Sequence, residues 1–201
     1  MDGWEDKLAI LELVQQWAVW RDAGDWERLR TVWHEDGWTS ATWFQGSADR
    51  FIELSREGFE RGVNVAHFLG GSALDVRGIR AVCQTKMSIS QRGILEGVWV
   101  DVLCLGRFYD FFEKRDGRWG IVRRQPIYEK DRMDPVTPGT RLELDAAELD
   151  RLPGGYRHLA YLQSRQGLTV KTDLPQLKGP EVERLYQQGR AWLDGTPTAF
   201  N

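Results

Sequence analysis

The hydrophobic period of this chain changes near residue 62, and this change most constrains its fold. Before it, apolar residues recur at three- and four-residue steps, as in amphipathic helices. After it, residues 79–89 alternate between polar and apolar, as in a half-buried strand, and Asp116-Gly117 is a strong hairpin signal. Helices followed by meandering strands favour an α+β fold over a βαβ fold.

The first part of the chain predicts three helices, over residues 5–22, 25–33 and 47–62, with Asp25 and Ser47 as N-caps. The second part predicts a long antiparallel sheet. We therefore expect a cone-shaped curved antiparallel sheet with three N-terminal helices packed on it, whose mouth forms a pocket.

Six of the seven prolines lie after residue 134. We therefore divide the chain into a cone domain, residues 1–133, and a helical C-terminal extension, residues 134–201, which wraps the domain or a neighbouring subunit. Residues 95–113 are apolar on both faces of their predicted strand. One of these faces needs a second cover, which predicts a homodimer or a higher homo-oligomer.

Charge and composition exclude several classes of partner. Lys and Arg number 27 and Asp and Glu 30, so the net charge of −3 argues against nucleic-acid binding. The longest segment without charged residues, 62–74, is too short to span a bilayer. The first ten residues do not resemble a secretory signal. Two cysteines without a CxxC motif indicate buried thiols and a cytoplasmic protein.

Seven of the ten tryptophans fall within the first 43 residues. Tryptophan combines a large apolar area with an N–H donor, so this density suits a core, a dimer interface or an aromatic-lined pocket. The residues expected to form the walls of a substrate pocket are Trp17, Trp43, Trp99 and Tyr128.

Two polar residues differ from their surroundings. His67 lies in the nearly uncharged segment NVAHFLGG, where a histidine is a natural proton acceptor. The alternative is a buried histidine that bonds a backbone carbonyl. Asp22 ends the first helix on its apolar face, where a carboxylate opposes the helix dipole and needs a partner. That partner is the neighbouring Arg21 or a functional group elsewhere.

No histidine has metal-ligand spacing, so neither a metal nor another cofactor is expected.

Three segments, WAVWRDAGDWERLRTVWHEDG, NVAHFLGG and GRWGIVRRQPIYEKDR, resemble the SnoaL-like branch of the nuclear transport factor 2-like superfamily. The resemblance covers about residues 5–132. In this superfamily, scytalone dehydratase and hexachlorocyclohexane dehydrochlorinase use an Asp–His pair inside the cone. The resemblance implies that role for Asp22 and His67.

The same resemblance places Arg123 or Arg124 where the dehydrochlorinase pattern carries a basic residue, and we take Arg123 as the catalytic one. The chain also departs from both patterns. Trp17 stands where the dehydrochlorinase pattern has a lysine, and residues 79–130 contain no second histidine. Neither substrate is therefore carried over to this chain.

Together, the residues and the resemblance predict a cofactor-free lyase or isomerase that acts on a small, apolar, aromatic substrate. In this hypothesis Asp22 fixes the tautomer of His67, His67 removes a proton, and Arg123 stabilises the developing negative charge. Two alternatives stay open: a module that only binds a small ligand or a partner protein, and ring closure of the polyketide cyclase type.

Overall fold

A curved sheet of six strands is the centre of the fold within residues 3–196, the part of the chain that the computed structural model describes. The strands are β1 (Trp33–Ser40), β2 (Gln45–Ser47), β3 (Asn64–Arg77), β4 (Arg80–Leu95), β5 (Val98–Arg115) and β6 (Arg118–Pro135). They lie in the order β2-β1-β6-β5-β4-β3, and the sheet does not close on itself. The predicted α+β class and the curved sheet are confirmed.

Within residues 3–196 the sheet is accompanied by six helices, and side-chain caps mark the beginning of three of them. They are α1 (Trp4–Ala23), α2 (Trp26–Thr31), α3 (Ala48–Glu60), α4 (Ala146–Leu149), α5 (Arg157–Arg165) and α6 (Pro180–Leu193). The side chains of Asp25 and Ser47 accept hydrogen bonds from backbone N–H groups in the first turns of α2 and α3, which confirms both predicted N-caps. Gly24 ends α1 in the left-handed conformation. Within residues 3–196, no helix is long and apolar enough to cross a membrane.

One strand pairing differs from the all-antiparallel sheet that the sequence predicts. The strands β3 to β6 pair antiparallel in sequence order, as consecutive hairpins require. By contrast, β1 pairs parallel to β6. More than seventy residues separate these two strands, so no hairpin dictates their relative direction.

The two faces of the sheet carry separate apolar clusters. The larger cluster joins α1, α3 and α5 to the inner face, with Val14, Phe51, Phe112 and Leu159 among its buried members. The smaller cluster packs α6 against the outer face around Phe111. Helices of residues 134–201 thus contact both faces of the sheet of their own chain. The domain boundary at residue 133, the contact of the extension with a neighbouring subunit and the homo-oligomer stay predictions.

The packing of α6 generates a test. A β-carbon added at Gly189 would overlap the hydroxyl group of the buried Tyr109 on β5. Overpacking of this kind costs about 1–3 kcal/mol, which exceeds the gain of about 1 kcal/mol in helix propensity. We therefore expect Gly189→Ala to lower the free energy of unfolding in urea, and Tyr109→Phe in the same chain to recover part of the loss. Gln187→Ala, on the exposed side of α6, is the control, and an equal effect of both alanine variants would contradict the packing.

Candidate active site

The inner face of the sheet encloses a cavity of about 60 Å³, which we call the inner cavity. The helices α1, α3 and α5 cover it, β1 and β3 to β6 form its floor, and residues 41–43 complete the lining. Its lining includes two tryptophans, a tyrosine, a histidine and two arginines: Trp17, Trp43, Tyr128, His67, Arg21 and Arg124. Polar groups that are shielded from water and converge on a cavity are typical of ligand-binding and active sites.

Asp22 and His67 meet beside this cavity. The last turn of α1 carries Asp22, and β3 carries His67 opposite Ile89 of β4. Asp22 Oδ1 lies 2.8 Å from His67 Nδ1, and Asp22 Oδ2 accepts the backbone N–H of His67 at 2.5 Å. The carboxylate therefore fixes both the position of the strand and the orientation of the imidazole ring. Arg21 lies farther from Asp22, at 3.7 Å.

These contacts determine the tautomer of His67. A carboxylate only accepts hydrogen bonds, so Nδ1 carries the proton and donates it to Asp22. Nε2 is then the basic nitrogen, and it has no hydrogen-bond partner among residues 3–196. The His67 side chain, only 7% exposed, belongs to the cavity wall. A neutral imidazole with one oriented and one free nitrogen is suited to remove a proton from a bound ligand.

The charge state of His67 reflects two opposing effects. Burial lowers its pKa below the ordinary value, because the imidazolium would lose its hydration. The hydrogen bond and the negative charge of Asp22 raise the pKa, and the positive charges of Arg21 and Arg124 lower it. Burial is the largest of these effects, so His67 is neutral at pH 7.

Arg124 lies inside the inner cavity and forms a buried ion pair. Its Nε and Nη2 donate to the two carboxylate oxygens of Asp110, each at 2.7 Å, and both side chains are at most 1% exposed. The guanidinium carbon lies 4.1 Å from the ring centres of both Trp17 and Phe108. The ring of Trp17 in turn contacts that of His67 in a T-shaped arrangement, with 5.1 Å between ring centres. The ion pair and the proton acceptor thus share one aromatic wall.

Arg123, taken above as the catalytic arginine, lies on the other face of the sheet, and that assignment is wrong. Its Nη1 donates to Gln188 of α6 at 2.8 Å, and burial lowers its pKa to about 10. The cause is a β-bulge. Ile121 pairs with Phe112 and Arg123 with Phe111, so Val122 is an extra residue that reverses the alternation. Arg124 therefore faces the cavity.

The predicted aromatic walls are placed in part as expected. Trp17, Trp43 and Tyr128 line the inner cavity. Trp99 does not, because it is 53% exposed on the outer face of β5. Its neighbours Val98 and Val100 belong to the inner core, and alternation sends the residue between them outward. Trp99 is therefore not a pocket residue.

Some cavity residues were not identified from the sequence. Neither was Asp110, which does not line the cavity but pairs with Arg124, although an acidic residue within the apolar stretch of β5 is a usable signal. Three of the cavity residues form a hydrogen-bonded row: Thr42 donates to Gln163 at 2.5 Å, and Gln163 donates to Gln91 at 2.9 Å. Gln163 belongs to the extension, and no local pattern places it near Gln91.

Several polar atoms of the inner cavity residues lack partners. Among residues 3–196, the buried side-chain atoms without a hydrogen bond include Trp17 Nε1, Arg21 Nε and Arg124 Nη1. All three are donors that cannot accept. Each belongs to a residue of the cavity lining, and a buried donor left unpaired costs about 1–3 kcal/mol.

The other two histidines have structural contacts. His34 Nε2 lies 2.8 Å from the carbonyl oxygen of Glu113, and His158 Nδ1 lies 2.9 Å from Asp131 Oδ1. Within residues 3–196, no three His, Cys, Asp or Glu side chains converge in a way that could hold a metal ion.

Comparison with known proteins places the chain among relatives of the same fold. The model of the SnoaL-like domain family matches residues 3–125. The chain is 34% identical to a PEP2-like protein of Fusarium vanettenii, over 94% of this chain and 86% of that protein.

Two solved structures show the same fold at low sequence identity. One is a protein of Novosphingobium aromaticivorans provisionally named a scytalone dehydratase, with a TM-score of 0.55 and 20% identity over 70% of this chain and 97% of that one. The other is the hexachlorocyclohexane dehydrochlorinase LinA-type3 of Novosphingobium barchaimii, with a TM-score of 0.55 and 16% identity over 72% of this chain and 98% of that one.

The buried ion pair predicts a specific pattern of stability. Arg124→Met leaves the Asp110 carboxylate buried without a partner, which costs about 3–5 kcal/mol. The double variant Arg124→Met with Asp110→Val removes both charges and should recover most of that loss. Urea unfolding at neutral pH measures both free energies, and equal losses in the single and double variants would contradict the assignment.

The pKa of His67 predicts an ordered set of NMR titrations. The imidazole of the native protein should titrate below the ordinary histidine value, because burial dominates. Asp22→Asn should lower the midpoint further, and Arg21→Gln should raise it, since these neighbours act in opposite directions. A depressed folded-state pKa means that the contribution of His67 to stability is complete above its unfolded pKa of about 6.5 and is lost as the pH falls through the folded value. Shifts of the same sign in both variants would refute this account.

Proposed function

The chain belongs to the SnoaL-like domain family, and from this premise we propose that it is a cofactor-free lyase or isomerase with His67 as its general base. The names of the two structural neighbours denote eliminations, the loss of water and of hydrogen chloride. The proposal rests on one observation above all. Asp22 holds Nδ1 of a buried, neutral His67, and this leaves Nε2 basic at a cavity wall.

The proposed reaction begins with proton transfer from a substrate C–H bond to Nε2 of His67. The electron pair of that bond moves into the substrate, and negative charge develops on an oxygen conjugated with it. In an elimination, the electron pair then forms a double bond as the leaving group departs with its own pair. The imidazolium returns the proton to the leaving group, so the substrate loses the elements of water or of a hydrogen halide. In an isomerisation, the imidazolium returns the proton to another carbon.

We assign the stabilisation of the developing charge to Arg124, in place of Arg123. Its Nη1 and the indole N–H of Trp17 are unpartnered donors of residues that line the cavity with His67. Donors already in place in a cavity shielded from water stabilise an oxyanion without reorganisation. Asp110 acts as a positioning residue, because it holds the guanidinium group in one plane.

The substrate proposed for this site is small, largely apolar and aromatic. Trp17, Trp43 and Tyr128 supply the apolar walls. Ring closure of the polyketide cyclase type starts with the same proton abstraction, so only product analysis separates it from elimination. A cytoplasmic location and a homo-oligomer complete the proposal.

A kinetic test follows from the assigned base. In D₂O, the native protein should exchange the α-hydrogen atoms of β-hydroxy and β-chloro ketones, as followed by NMR, whatever the later fate of the bond. His67→Gln should slow the exchange by about 10²–10⁴-fold, the usual contribution of a general base. The rate should increase with pH and become constant above the depressed pKa of His67, because only the neutral imidazole accepts a proton.

The control is His34→Gln, which removes a histidine outside the cavity whose Nε2 bonds the carbonyl oxygen of Glu113. This variant should exchange at the native rate. Native rates in His67→Gln would refute the assignment of the base. Binding of the ketones without any exchange would favour the alternative of a ligand-binding module.

A further inference from the structure

We infer that the substrate is an elongated carbonyl compound that spans two adjoining cavities, with its oxygen in the inner cavity and an apolar arm in a second one. This inference rests on the proposed function, because it places the reacting carbon beside His67. It goes further by naming the class of substrate and the part of the molecule that selects it.

The second cavity, which we call the outer cavity, has a volume of about 100 Å³. It lies between α3, the beginning of β3 and the segment that follows α5. Five residues line both cavities: Arg21, Trp43, Val65, Gln91 and Gln163. Because the same five residues line both, the two cavities are direct neighbours.

The volumes decide how a substrate fits. The inner cavity measures about 60 Å³, whereas a protein cavity that binds benzene measures about 150 Å³. The inner cavity alone therefore accommodates only a few heavy atoms. A substrate with a ring or a chain of several carbons must extend into the outer cavity.

The two cavities have similar shares of polar and apolar wall, so it is the position of His67, which lines only the inner cavity, that places the reacting end of the substrate there. Trp17, Ser40 and Arg124 of the inner cavity lining each have a buried polar atom without a partner in the part of the chain that the structure describes, and all three atoms can donate a hydrogen bond to a carbonyl oxygen. A carbonyl also acidifies the adjacent C–H bond that an imidazole could deprotonate. The outer cavity is lined by aliphatic side chains, among them Leu54, Val63 and Leu168, which an apolar arm would contact, and by polar side chains that include Ser55, Arg61 and Gln166.

The lining that the two cavities share comes partly from the C-terminal extension. Gln163 of α5, 3% exposed, accepts a hydrogen bond from Thr42 and donates one to Gln91. Gln91 in turn donates to Gln166 at 3.3 Å. Gln91 and Gln163 therefore supply polar groups to the lining that the two cavities share, at the point where the substrate passes from one cavity to the other. Gln163 is thus a specificity-determining residue supplied by the extension.

Gly58 offers a way to fill the outer cavity alone. This residue of α3 lines the outer cavity but not the inner one. A β-carbon added there would meet only the side chain of Val63, at an ordinary 3.7 Å. Replacing a glycine inside a helix also favours the helix. Gly58→Leu should therefore occupy the outer cavity with little effect on the fold, and Gly58→Ala should occupy a smaller part of it.

The test measures the affinity of 2-butanone, 2-pentanone and 2-hexanone by NMR titration. In the native protein, each added methylene should strengthen binding about fourfold as it enters the outer cavity. In Gly58→Leu this gain should disappear while the affinity for 2-butanone stays the same, and in Gly58→Ala part of the gain should remain. The control Arg56→Leu adds the same side chain on the exposed side of α3 and should keep the native gradient.

Three results would overturn the inference: equal affinities for all ketones in the native protein, equal weakening of all ketones by Gly58→Leu, or no binding of any ketone at millimolar concentration. The titration requires no turnover, so it is independent of the proposed function. If the gradient is present and His67→Gln still exchanges hydrogen at the native rate, the base assignment fails and the two-cavity site stands. If His67→Gln abolishes exchange and the gradient is absent, the reverse holds.

Discussion

The buried ion pair of Arg124 and Asp110 is the contact on which the arrangement of the cavity depends. Neither charge reaches water, so each needs the other, and the bidentate geometry leaves the guanidinium one orientation. In that orientation the group lies against the rings of Trp17 of α1 and Phe108 of β5, and the ring of Trp17 also contacts His67. The pair adds little net stability, because desolvation offsets attraction. Its contribution is to fix positions. It links β5 to β6, holds Arg124 against Trp17 of α1, and leaves Nη1 of Arg124 without a partner among the described residues.

The histidine beside this pair combines two properties that usually conflict. A general base must be unprotonated at neutral pH, yet it must retain affinity for a proton. Burial and the nearby arginines keep His67 neutral, while the carboxylate of Asp22 opposes them and preserves part of its basicity. The same carboxylate also accepts the backbone N–H of His67, so the ring is oriented by two hydrogen bonds from one group. The position of Asp22 at the end of α1, unfavourable for the helix dipole, is compensated by these bonds.

Local chemistry made much of the fold predictable, and tertiary contacts account for what was missed. Contacts between neighbouring residues alone determine the helix caps at Asp25 and Ser47 and the turn at Asp116-Gly117. The alternation of polar and apolar residues along β4 likewise shows which of its side chains face the core. The choice between Arg123 and Arg124 depended on the bulge at Val122, which alternation alone cannot indicate. Trp99 lies on the outer face because Val98 and Val100 of the same strand point inward, and the abundance of tryptophan says nothing about this parity. The parallel pairing of β1 with β6 and the place of Gln163 in the cavity wall arise from contacts between residues far apart in sequence.

The position of Gln163 couples the extension to the chemistry of the cavity. Leu159 and Gln163 of α5 form one side of the inner cavity, so the cone without α5 would open that side to water. Water would raise the local dielectric constant and weaken both the Asp22–His67 interaction and the stabilisation of an oxyanion. The extension is itself held near this point, because Asp131 of β6 accepts hydrogen bonds from the backbone N–H of Leu159 and from His158. The active site is therefore shielded from water only when α5 is docked on the sheet. The contacts that hold the extension in place thus also contribute to the free energy with which the site is assembled.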